Sequence, residues 1–187
     1  MIAELGLAAL WLAAALAALQ LVSGSVGLTR RGTALSGVVR PVAVVQGLLA
    51  LLAFGCLIYV FAVTDLSVKL VAANSHSMKP LVFKIAGAWG NHEGSMLLWV
   101  TVMGMAGAVV ALVEKRLPEP TMLATLAGQA FVSLGFYAFL LLSSNPFERL
   151  SPVPPEGNGL NPLLQDLGLA FHPPTLYLGY VGLSVAF

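Results

Sequence analysis

Residues 2–22 read IAELGLAALWLAAALAALQLV, with Glu4 as their one charged residue. Coiled as an α-helix, such a stretch is about 31 Å long, and the hydrocarbon core of a bilayer is about 30 Å thick. An apolar N-terminal run can also be a cleaved secretory signal. Here Glu4 stands where a signal carries positive charge, and the run outlasts an apolar signal segment of about 7–15 residues. The stretch therefore predicts an uncleaved membrane helix.

The rest of the chain has the same character. It is 58% hydrophobic and 9% charged, with a mean hydropathy of +0.91, whereas a soluble domain carries about 25% charged residues. Further apolar runs fall at roughly residues 42–63, 95–113, 121–143 and 172–187. The expected fold is all-α: a polytopic transmembrane helical bundle with four full spans and a truncated fifth, residues 1–187 forming a single membrane domain. Tyr59 and Phe61 fit an interfacial aromatic belt at the far end of the second span. A net charge of +1 argues against a nucleic-acid partner. The single cysteine, Cys56, lies in an apolar run, so neither a disulfide framework nor a cysteine zinc site is expected. No internal repeat is visible.

The connectors set an orientation. Residues 23–40 carry Arg30, Arg31 and Arg40 and no acid, and residues 114–120 carry Lys115 and Arg116. These two connectors hold five basic residues in 25 positions, against four in 58 for the loops 64–93 and 144–171. By the positive-inside rule the N-terminus, both long loops and His172 are expected on the outer face. Small residues recur at packing intervals: Gly104, Gly107, Ala108 and Ala111 in the third span, Ala124 and Gly128 in the fourth, Thr175, Gly179, Gly182 and Ala186 in the fifth. They suit close helix packing in lipid, though membrane helices are rich in Gly and Ala generally.

With few polar residues, candidates for chemistry are soon named. His172 precedes Pro173 and Pro174 at the mouth of the last apolar run, in GLAFHPPTLYLGYVGLSVAF (168–187). The prolines suit the first turn of a helix. The imidazole could ligate a metal or haem iron or move a proton; the simpler reading is that it caps the helix start at headgroup level. The second stretch is WGNHEGSMLLW (89–99). Glu93 there is favourable at a helix N-terminus, Gly90 and Gly94 allow close backbone approach, and Trp89 suits the interfacial belt. A structural re-entry turn is the simpler reading of Trp89, Gly90, His92, Glu93, Gly94 and Ser95. His76 is most simply a solvated loop residue. No nucleotide loop or hydrolase motif occurs, and the spans lack central charges, which disfavours a transporter.

Both stretches resemble a known family. WGNHEGSMLLW, preceded by Asn74, Ser75, Pro80 and Lys84, resembles the first outer loop of CcmF-type haem lyases, and GLAFHPPTLYLGYVGLSVAF resembles their entry into the fifth helix. Nitrite-reductase-associated paralogues share these motifs. The resemblance covers essentially the whole chain in helix order and loop length. It implies a multi-pass protein of the bacterial inner membrane, with His172 and the loops 64–93 and 144–171 on the periplasmic side. Its members receive haem (haem b before covalent attachment) from a membrane-anchored haem chaperone and work with other cytochrome c maturation subunits. They help attach that haem to the CxxCH motifs of apocytochrome c.

The histidine of the HPP motif, His172 here, is assigned in the family as an outer-face axial ligand to haem iron, supported by Pro173, Pro174 and Tyr177. The family's tryptophan-rich segment and its other haem-ligand histidines have no counterpart in this chain. The expectation is therefore an N-terminal portion of such a protein, inactive as a lyase by itself. The alternative is a non-catalytic membrane scaffold that docks the haem chaperone or assembly subunits.

Overall fold

Residues 1–29, 34–162 and 165–186 are described by the structure, a computed structural model; Arg30, Arg31 and Phe187 lie outside the described residues. Seven α-helices follow in order: α1 (Ile2–Thr29), α2 (Val39–Ala62), α3 (Lys69–Asn74), α4 (Leu81–Gly87), α5 (His92–Val113), α6 (Glu119–Leu142) and α7 (Leu167–Ala186). A 3-10 turn, Ser36–Val38, leads into α2. Among the described residues four stretches, Ile2–Thr29, Ser36–Ala62, His92–Val113 and Glu119–Leu142, are long and apolar enough to cross a membrane. The all-α membrane bundle expected from the hydropathy is the fold observed.

Burial explains where these helices run. On α1 the buried residues are Ala3, Gly6, Ala9, Leu10, Ala13, Ala17, Gln20, Ser23, Gly24 and Gly27, a small-residue stripe at helical spacing. That stripe carries α1 to Thr29, through residues that read as a Gly/Ser connector from 23 onward. A Cβ on Gly24 would stand 2.9 Å from Ala127 Cβ, so α1 and α6 approach to backbone distance there. α1 packs between α2 and α6, α2 lies against α5, and α5 in turn contacts α6 and α7. One core joins Leu10, Leu57, Phe61, Leu97, Tyr137 and Phe147, and a smaller one at the opposite end joins Val39, Met122 and Leu126. Trp11, Leu48, Phe131 and Leu178 point outward, as lipid-facing residues should.

The small-residue stripe of α5 behaves as the spacing predicts: Gly104, Gly107, Ala108 and Ala111 are all buried. Ala124, Gly128, Thr175 and Gly179 are exposed instead. Several polar side chains inside the bundle bond to backbone or to each other, while the buried Ser23 hydroxyl finds no partner among the described residues. Gln20 Nε2 donates to the Leu126 carbonyl at 2.8 Å, Thr101 Oγ1 to the Leu97 carbonyl at 2.7 Å, and Gln46 Nε2 to the Tyr137 hydroxyl. In hydrocarbon such groups must find partners within the protein.

At one end, Arg40 Nη1 donates to the Ala111 and Glu114 carbonyls at 3.1 and 2.9 Å. A residue that read as loop charge is thus a cationic cap on the last turn of α5, where carbonyls lack helical donors. The opposite end is a knitted cap. The loop after α2 and the loop after α6 form an antiparallel bridge, with Lys69 N donating to Glu148 O and Leu150 N to Ser67 O, each at 2.8 Å. Asn158 N bonds Ala72 O at 2.8 Å and Gly159 N bonds Ser75 O at 3.1 Å. Local sequence could not show these pairs, because the partners in each lie more than seventy residues apart in the chain.

Candidate functional site

Three backbone facts shape the stretch 87–99. Asn91 is the N-cap of α5, its Oδ1 accepting from Gly94 N at 2.7 Å, while its Nδ2 donates to the Gly87 carbonyl at 2.6 Å. Asparagine is a favoured N-cap, so the residue type alone is a signal for this helix start. Gly94 is compulsory: a Cβ there would run into the carbonyl oxygen of Ala88. Ser95 Oγ donates to the Trp89 carbonyl at 2.7 Å and closes the turn. Helix α5 therefore begins at His92, three residues ahead of the expected span. Glu93 sits half-buried in its first turn, where the helix dipole favours an acid.

Helix α7 departs further from expectation. It starts at Leu167, so Pro173 and Pro174 stand inside it and not in its first turn. Prolines there remove the donors that would reach the carbonyls of Leu169 and Ala170. The freed Ala170 carbonyl is occupied: Trp89 Nε1 donates to it at 2.8 Å. Trp89 is accordingly half-buried against α7 and tilted 6.3 Å from Phe54, not a freely interfacial indole. Of the expected belt pair, Tyr59 is exposed but Phe61 is fully buried in the core.

The two sequence motifs meet around a cavity of about 660 Å³. Trp89, Trp99, Phe136 and Tyr177 wall it, with Gly90, Ser95 and His92 from the α5 turn and Pro173 from α7. Trp99 packs edge-on to Tyr177 at 5.5 Å and tilts over Phe136 at 5.3 Å. His92 is exposed at the mouth, its Nδ1 3.3 Å from the Ser144 hydroxyl and its ring edge-on to Phe139 at 5.4 Å. Trp99, Phe136 and Met96 were not singled out from the sequence; aromatic and Met residues in apolar spans look alike until packing separates wall from lipid face.

His172 is exposed, one residue before the cavity-lining Pro173, and its carbonyl accepts from the Thr175 hydroxyl at 2.8 Å. It is not in a first turn and caps nothing. His172 does not itself line the cavity, but an exposed imidazole is a donor compatible with haem iron, and the aromatic walls suit an apolar macrocycle. Among the described residues no cluster of three His, Cys, Asp or Glu forms that could hold a bare metal ion.

His76 belongs to a different group. Its Nε2 lies 3.8 Å from the Glu156 carboxylate, whose other bonds come from the Ser77 hydroxyl and amide and the Gly157 amide. The Ser77 hydroxyl, then the Gly157 and Ser77 amides, hold Glu156 down at about 2. His76 is thus part of the loop clasp rather than a merely solvated residue. Lys79 nearby donates to the Asn74 carbonyl at 3.0 Å, and burial together with the Lys84 charge pushes it down to about 8. Burial raises the Asp65 carboxyl, but bonds from Ser67 and Arg149 outweigh it and hold the group below the usual range.

The fold and site define a class: a membrane helical bundle capped at one end by paired loops, with an aromatic cavity between its re-entry turn and a proline-bearing helix. The model of the cytochrome c assembly protein family matches residues 89–187, and this chain belongs to that family. It is 51% identical over all 187 residues to the cytochrome c-type biogenesis protein CycK of Rhizobium meliloti (strain 1021), covering 28% of that protein. It is 47% identical to the cytochrome c-type biogenesis protein CcmF of Pseudomonas aeruginosa, again over 100% of this chain and 29% of the relative. The NrfE protein of Haemophilus influenzae is 41% identical over the whole chain, which covers 29% of it. The solved structure of cytochrome c haem lyase CcmF superposes with a TM-score of 0.86 at 27% identity, over 99% of this chain and 29% of that one. The chain spans less than a third of the length of the relatives it matches.

Proposed function

We propose that this chain is a haem-handling part of a cytochrome c assembly protein, placed in the bacterial inner membrane with the knitted cap, the cavity mouth and His172 on the periplasmic side. Haem is cargo and substrate in this reading, received from a haem chaperone. The imidazole of His172 holds its iron on the outer face. Holding the iron is catalysis by positioning, since it presents the haem vinyl groups to the cysteine thiols of a CxxCH motif in apocytochrome c. Trp89, Trp99, Phe136 and Tyr177 offer apolar walls beside that ligand.

The observation that carries the reading is the meeting of both family-like motifs at one cavity, with His172 exposed next to its Pro173 wall. Orientation is supported by the charge count of the connectors. The test is haem copurification with the full-length protein. His172→Ala is expected to abolish most bound haem and cytochrome c maturation while the protein still accumulates in the membrane. Normal haem content and normal maturation in that variant would remove the ligand role.

A further inference from the structure

We propose that Trp89 is a positioning residue for His172: by taking the Ala170 carbonyl that Pro174 leaves without a helical donor, its indole N–H fixes the turn of α7 that carries the histidine. The proposal rests on the reading of His172 as the haem ligand.

In an uninterrupted helix the carbonyl of Ala170 would accept from residue 174. Residue 174 is proline and has no N–H, yet α7 continues through it to Ala186. The donor that replaces it comes from outside the helix, 81 residues earlier, at 2.8 Å. A substitute donor within α7 would leave the helix free to shift over its neighbours. A donor on the α5 entry turn ties it to one place. Ala170 and His172 are two residues apart, less than one turn of about 3.6 residues, so the tie acts on the turn that bears the ligand.

The tie is useful only if Trp89 is itself fixed, and it is held on several sides. Its carbonyl accepts from Ser95 Oγ at 2.7 Å, its amide donates to Ala86 O at 3.2 Å, and its ring rests against Phe54. Beyond the prolines, Tyr177 packs on Trp99 of α5, a second attachment a turn further along. Between these two points lie Pro173 and His172. A purely structural account is that a buried carbonyl needs some donor and the indole happens to supply it. The two accounts differ in what an internal donor would restore.

The experiment uses the full-length protein in membranes, with Trp89→Phe, Pro174→Ala, the double variant and His172→Ala. Readouts are thermal stability, retained haem, the low-spin haem EPR signal, and exchange of the Trp89 indole proton in indole-labelled protein. Trp89→Phe is expected to lower stability, to weaken haem retention about fivefold, the worth of one neutral hydrogen bond, and to broaden the EPR signal. Pro174→Ala in that background returns an N–H to Ala170; stability should recover while haem retention and the EPR signal stay impaired. Recovery of both overturns the proposal, as does wild-type haem in Trp89→Phe when His172→Ala loses it. Normal haem in His172→Ala brings down the underlying reading, and the proposal with it. Should Trp89→Phe not accumulate, Pro174→Ala alone decides: its new N–H competes with the indole, so faster indole exchange with loss of haem supports the tie, and faster exchange with unchanged haem overturns it.

Discussion

Arg149 grips Glu4 from 145 residues away in the chain: its Nε and Nη2 both donate to Glu4 Oε1, at 2.9 and 2.7 Å. The same guanidinium donates from Nη1 to Asp65 at 3.1 Å and to the Ser67 hydroxyl. One cation therefore links the first turn of α1, the loop after α2 and the loop after α6. Both acids hold Arg149 more firmly protonated than an isolated arginine. Replacing Arg149 by Met leaves Glu4 and Asp65 as neighbouring like charges. Amide hydrogen exchange at residues 2–6 and 65–69 is expected to speed up, and the increase should shrink in 1 M salt, where the screening length is about 3 Å. An increase that ignores salt would mean the arginine acts by packing.

At the crossing of α2 and α5, Gly47 meets Gly104 backbone to backbone. A Cβ on Gly47 would stand 2.5 Å from the Gly104 carbonyl oxygen and 2.9 Å from its carbon. Gly47→Ala is expected to destabilise by about 1–3 kcal/mol, the range for forced overpacking. Gly55, two turns along the same helix, has open space at its Cβ. Gly55→Ala should be neutral or stabilising by up to about 1 kcal/mol. Unfolding in mixed detergent measures both, and equal effects would refute the crossing.

Tyr137 is fully buried, and its hydroxyl is the acceptor for Gln46 Nε2. Tyr137→Phe keeps the ring and strands the amide in an apolar setting. The expected cost is about 0.5–2 kcal/mol, since membrane hydrogen bonds average at the low end and orphaned buried donors at the high end. Gln46→Leu in the Tyr137→Phe background should recover part of it. A double-mutant cycle with no coupling would show that the two side chains do not interact.

Lys79 is pushed from 10.5 to about 8 by burial and by the Lys84 charge. Its amine is therefore half neutral near pH 8, and its acylation by an amine reagent should titrate there. The folded protein binds fewer protons than the unfolded chain between about 8 and 10.5, so stability should rise with pH across that window and carry the full penalty below it. Lys84→Met should move the Lys79 midpoint upward. Reagent labelling read by mass spectrometry at graded pH checks both.

Much of the architecture was legible in the chain. Four spans followed from apolar runs long enough to cross a bilayer, because each backbone bonds within its own helix and needs no partner to be predicted. Residues 89–95 and 172–174 stood out because polar and proline residues are rare in such a chain. Helix ends were less legible. α1 runs on through Ser23, Gly24 and Gly27 because α6 buries them, and α7 begins five residues early, which moves Pro173 and Pro174 from a first turn into the interior. Other relationships belong only to the tertiary structure: Trp89 on Ala170, Arg149 on Glu4, Arg40 on the end of α5, and the aromatic walls of the cavity. Each joins residues far apart in sequence, and a lone side chain's composition is the same whether it faces lipid, a carbonyl or a cavity. Periodicity fixes which residues share a helix; only packing decides what each one meets.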